Sequence, residues 1–240
     1  MSVSHVINAV IAFGTILAAF TAIYSTANSS FKSTFSLLLS QHNEALEKLK
    51  NSTRYNDILL KVIKKNSELS VSNKEMHDHD DIFGSYFRVL YHLLKFIDNK
   101  AGSYPFDIEV KKEYTSLVRS FLDNETLLFL AINCSHANND NQYHLYKTLI
   151  ERYAMLEHLI LDEKYMEKYL SKDENQHIIK YNAMDHSRSE KESELANEKY
   201  FSAINDTLLK DIAIAYHSSA FGTNPSLAKY TQNKNTHYPL

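Results

Sequence analysis

Arg88, His92 and Lys95 fall at i, i+4 and i+7, so a helix carries all three on one face, with Tyr91 and Asp98 along the same polar line. Arg119 and Asn133 sit beside apolar neighbours. A desolvated arginine needs a carboxylate, and Asp98 and Glu125 are the candidate partners. These eight residues form either a structural ion-pair network or a ligand or trigger pocket. Farther on, Arg152 and His158 stand six residues apart in a stretch read as helical. The run His77-Asp78-His79-Asp80-Asp81 has the residue types of a metal site. Its members are contiguous, however, rather than spaced by a helical turn. Asp80 or Asp81 capping the following helix explains them more simply, because a carboxylate satisfies the free amides and opposes the helix dipole. No metal and no cofactor are expected. The chain has no Gly-rich phosphate loop, no Cys/His zinc spacing and no Gly-x-Ser-x-Gly elbow.

The elements that must position these residues are helices. Four Gly and three Pro in 240 residues leave little turn chemistry for sheets, and no alternating strand pattern of useful length occurs. The fold class is all-α. Ile82, Phe83, Tyr86, Phe87, Leu90, Leu93, Leu94 and Ile97 make one broad apolar face. A second helix runs from an Asp107 cap to Leu122. A third, about 124–135, is apolar nearly all round and belongs in the middle of a bundle, with Asp123 as its cap. A fourth carries Tyr146, Leu149, Ile150, Tyr153, Leu156 and Ile160. Beyond a charged stretch, a last amphipathic helix presents Leu195, Phe201, Ile204, Leu208, Ile212 and Ala215, either to close the bundle or to bind a partner. The net charge of −3 gives no footprint for nucleic acid, and the single cysteine, Cys134, fits a reducing compartment.

At the other end, the first 31 residues contain no Asp, Glu, Lys or Arg, and Val3 to Tyr24 is 22 residues of mostly apolar sequence. A spanning helix needs roughly 20. A secretory signal would have a basic leader and a shorter apolar run, so residues 1–27 are read as an uncleaved anchor. Lys32, Lys48 and Lys50 follow it, which puts the N-terminus outside and the remainder in the cytoplasm. Residues 28–70 are expected to form a stalk helix. Its Phe35, Leu39, His42, Leu46, Leu49, Thr53, Asn56, Leu60 and Ile63 have heptad-like spacing, suited either to a coiled coil or to packing on its own domain. A polar linker (71–81), a cytosolic helical domain (82–217, core 82–170) and a flexible C-terminal tail (218–240) complete the expected organisation.

Tyr86-Phe87-Arg88 with Tyr91, Lys95 and Asp98, then Tyr114-Thr115-Ser116-Leu117-Val118-Arg119-Ser120 with Leu122, Leu127, Leu128 and Asn133-Cys134, and finally Lys147 through Leu156 form three blocks. In order and spacing they resemble the AbiC-type phage abortive infection proteins over about 82–160. Where a Ser-x-x-Glu is expected this chain has Asp123-Asn124-Glu125-Thr126, so a family glutamate has no counterpart at Thr126. The resemblance implies bacterial antiphage defence by growth arrest or death of the infected cell. Combined with the anchor, it gives a single-pass effector of the bacterial inner membrane that acts through membrane disruption. Its expected partners are the membrane, further copies of the chain, and a protein or phage-derived trigger. No catalytic residue is assigned. The enzymatic alternative is that Arg152 and His158 resemble the Arg-x4–6-His signature of HEPN ribonucleases. In that chemistry a His acts as acid–base on the RNA 2′-hydroxyl while an Arg stabilises phosphorane charge. A non-toxic membrane scaffold is a third reading.

Overall fold

The computed structural model describes residues 3–64, 68–100, 108–136, 143–161 and 207–231. All regular structure among them is helical. Helix α1 spans Val3–Lys50. It has one glycine, Gly14, and no proline to interrupt it. The hydroxyls of Thr15 and Thr21 donate back to the Ile11 and Leu17 carbonyls at 2.9 and 2.7 Å, so these two polar side chains are satisfied within the helix. The N-terminal part of α1 is the one helix among the described residues that is long and apolar enough to cross a bilayer, with none of that stretch buried.

The C-terminal half of α1 lies along α4 (Asp80–Lys100), antiparallel to it. Phe31 stacks on Phe96 with ring centres 5.2 Å apart, while His42 meets Tyr86 farther along. Phe35 packs edge-on against Tyr114 of α5 (Ile108–Ser120). The heptad-like positions Phe35, His42, Leu46 and Leu49 are thus buried within this chain.

The stalk expected over 28–70 is not one helix. It stops at Lys50, turns through 51–54, and resumes as α2 (Tyr55–Lys64). Asn51, Ser52 and Thr53 compete with the helical backbone for hydrogen bonds, and the Tyr55 amide donates to the Ser52 carbonyl. The turn delivers Ile58, Leu59, Val62 and Ile63 into the core. Nor is 71–81 a linker throughout. Residues Leu69–His77 form α3, whose buried polar groups serve other elements. Ser72 donates to the Val62 carbonyl at 3.0 Å, and the Asn73 amide donates to the Ile132 carbonyl at 2.7 Å, near the C-terminus of α6.

Helix α6 (Asn124–Cys134) is the centre of the bundle, as its all-round apolar sequence predicts, and Leu127 through Ile132 are buried. Asp123 caps it, accepting from the Thr126 amide and hydroxyl. Phe83, Tyr55 and Phe129 form the aromatic middle, with Phe83 and Phe129 ring centres 4.5 Å apart. Helix α7 (His144–Arg152) lies beside α4 and α6. A last helix reaches 207–215 and buries Leu208 and Ile212, closing the bundle. Leu195, Phe201 and Ile204 lie outside the described residues. Residues 218–231, expected in a flexible tail, instead carry a 3-10 turn, Ser218–Phe221, whose Ala220 and Phe221 are fully buried.

Candidate functional site

One stripe of α4 supplies most of a cleft of about 410 Å³. Asp80, Gly84, Phe87, Arg88, Tyr91 and His92 line one side, and Asn133, Tyr143 and Tyr146 line the other. Helical spacing explains the first set, since these positions recur at intervals of three and four. The absence of a side chain at Gly84 makes room for the Asp80 carboxylate, which lies where a Cβ would be. Tyr143 and Tyr146, one turn apart at the start of α7, complete an aromatic wall together with Phe87 and Tyr91. The Tyr91 and Tyr146 rings are 5.2 Å apart.

Of the eight residues singled out by spacing, the structure brings four together here: Arg88, Tyr91, His92 and Asn133. Lys95 borders them, its ammonium 5.5 Å from the Tyr91 ring centre. Arg88 forms no ion pair or hydrogen bond with any described residue. The Asn133 side chain makes only a weak bond, donating to the Cys134 sulfur at 3.7 Å. Cys134 itself is a buried thiol, and burial pushes its pKa up, which disfavours the thiolate. The Tyr146 hydroxyl is buried with no hydrogen-bond partner among the described residues.

The other three lie elsewhere. Asp98, near the end of α4, accepts from Arg152 at 2.8 Å and from the Tyr153 hydroxyl at 2.5 Å. Burial opposes its ionisation, but these bonds prevail and hold the carboxyl below its usual range. Arg119 does not pair with Asp98 or Glu125, the partners proposed from sequence. Its guanidinium meets Glu157 at 2.7 Å and donates to the Ala154 carbonyl at 2.7 Å. Glu157 in turn accepts from the Thr223 hydroxyl at 2.6 Å and from the Thr223 amide. Those bonds, with the Arg119 charge, hold its carboxyl below the usual range. Only the chain reversal after α7 makes this junction, so no local spacing announces it. Glu125 lies in the first turn of α6, its carboxyl raised by burial and by neighbouring Asp123. Asp123 meets Lys50 of α1 at 2.6 Å.

Arg152 and His158 do not share a helix. Arg152 is the last residue of α7, and Ala154 adopts φ +50°, the left-handed conformation that ends helices. The Met155 amide donates to the Ile150 carbonyl at 3.0 Å, the long bond of that motif. His158 follows in the turn, while Arg152 is held by Asp98. Asp80 and Asp81, expected to cap α4, lie within its first turn. Asp81 pairs with Arg54 at 2.9 Å, and His79 approaches Glu75 at 3.6 Å.

Residues 78–164 match the sequence model of a family described as putative phage abortive infection protein. No curated protein and no solved structure matches the chain. The matched segment begins two residues before α4 and runs through α5, α6, α7 and the turn after it, so it contains the whole cleft. Over that segment, about a third of the chain, the protein is similar to the putative phage abortive infection protein family.

Proposed function

We propose that this chain is a membrane-anchored effector of abortive infection, in which the helical domain holds an N-terminal membrane helix in check until a phage-derived cue arrives. The observation that carries the reading is the solvent exposure of the apolar stretch Val3 to Tyr24 at the end of a helix whose other end is buried in the domain. At 1.5 Å per residue, 22 residues give about 33 Å, close to the roughly 30 Å of a hydrocarbon core. An exposed apolar surface of that extent calls for a lipid or protein environment. The lysines after the stretch favour a cytoplasmic domain. Assembly of copies would proceed through the anchor, since the stalk positions Phe35, His42, Leu46 and Leu49 are occupied by the chain's own core. Toxicity then follows from anchors that associate and compromise the membrane.

The test is bacterial survival and phage yield with residues 1–27 replaced by a soluble tag. The reading predicts loss of both protection and toxicity with the domain still folded. Undiminished protection by the tagged domain would overturn it and return attention to RNA cleavage, to be checked with Arg152 and His158 both changed to Ala.

A further inference from the structure

We propose that the cleft between α4, α6 and α7 binds a small phosphorylated heteroaromatic molecule of mononucleotide size. Its lining includes the aromatic side chains of Phe87, Tyr91 and Tyr146, and aromatic rings stack on planar ligands with little regard to ring identity. Arg88 lines the cleft with no ion pair or hydrogen bond to any described residue, so none of the described carboxylates must be displaced before it receives an anion. A guanidinium offers two parallel donors to a phosphate, a geometry that a lysine lacks. His92, one turn along the same face, adds a second polar group beside it. Asn133 presents an amide, donor and acceptor together, with no strong bond inside the protein. That pairing suits the edge of a heterocyclic base.

The signs of charge order the site. Arg88 lies eight residues after Asp80, about 12 Å along the helix axis. An anionic group belongs at the Arg88 end, and a ribose hydroxyl or base amine belongs nearer the Asp80 carboxylate. A volume of about 410 Å³ lies within the range of small-molecule sites and exceeds what inorganic phosphate needs. This inference does not depend on membrane disruption, because occupancy is read on the isolated protein rather than through cell death.

The experiment is calorimetric titration of the full chain in detergent with AMP, GMP, CMP and UMP, alongside inorganic phosphate and the four free nucleosides. The expected result is saturable binding of at least one nucleotide, with the matching nucleoside and phosphate each about tenfold weaker or worse. Arg88→Ala should weaken the nucleotide by about tenfold or more and bring it to the level of the nucleoside, while Arg88→Lys restores only part of the loss. Because Arg88 is exposed, neither variant should shift the unfolding temperature. Absence of saturation by all four nucleotides would overturn the proposal. So would affinity unchanged in Arg88→Ala, or phosphate binding as tightly as the nucleotide.

Discussion

Helix α1 shows two environments along one uninterrupted backbone. In its first half, Phe13 and Phe20 expose 69% and 68% of their surface, whereas in its second half Phe35 exposes 6%. Both halves carry phenylalanine and leucine side chains, so the presence of large apolar residues alone does not separate them. Polar placement does: the first half has no charged side chain anywhere on its circumference, while the second interleaves Lys32, Glu44, Glu47 and Lys48 with its buried positions. A helix with one apolar stripe packs on a domain, and a helix apolar all round needs an apolar medium. The same helix therefore obeys two rules, and the change occurs near Phe31, where α4 and α5 first touch it.

The contrast can be broken most strongly in the core. Phe129→Ala, which removes the ring packed against Phe83 and Tyr55, should cost about 3–5 kcal/mol of domain stability. Phe13→Ala should leave it unchanged within about 0.5 kcal/mol, and denaturant unfolding in detergent compares the two. The converse variant, Leu17→Asp, should disfavour membrane insertion by about 2.5–3.5 kcal/mol while leaving the domain's unfolding midpoint where it was. Fractionation and alkaline extraction read the first effect and near-ultraviolet circular dichroism the second. If Leu17→Asp unfolds the domain, the two halves are not independent.

A smaller effect is expected at the Arg119–Glu157–Thr223 junction, which pins the C-terminal segment to the turn after α7. Arg119→Ala should cost about 1–3 kcal/mol, between the values for exposed and fully buried pairs. Limited proteolysis should then cut within 218–231 before it cuts α6. Glu157 is ionised more readily in the fold than in the open chain, so its contribution is present above its ordinary pKa and is lost as pH falls below about 4.5.

The smallest expected effect lies at the seam between the buried half of α1 and α4. His42 is fully buried, its ring 3.1 Å from the Tyr86 hydroxyl, and burial lowers its pKa below 6.5. The unfolded chain therefore takes up a proton before the folded one does. Stability should be flat above about pH 6.5 and fall below it, by at most about 1.4 kcal/mol per pH unit for one proton. His42→Gln should remove that slope, and unfolding midpoints measured from pH 7.5 to 5.0 would show it.

What the residues disclosed in advance follows the range of the interaction. The long apolar N-terminal helix, the central helix α6 and the Asp123 cap are written in local pattern, and each is found where the pattern puts it. The convergence of Arg88, Tyr91 and His92 is equally local, since all three share one face of α4. Arg119 illustrates the limit. A buried arginine announces its need for a carboxylate, but Glu157 is 38 positions away along the chain and reaches it only through the reversal at Ala154. Asn73 is similar, because a polar residue in a polar stretch looked like linker until the Ile132 carbonyl claimed it. The expected stalk failed at 51–54 because three short polar residues outweighed a heptad spacing already diluted by Thr53 and Asn56.

The central claim, that the exposed half of α1 acts on the membrane under control of the domain, is tested most directly by membrane potential during infection. Cells carrying the full chain should depolarise after phage challenge and before lysis, and cells carrying Leu17→Asp should keep their potential and release phage. An unchanged potential in cells that nonetheless arrest and withhold phage would contradict it.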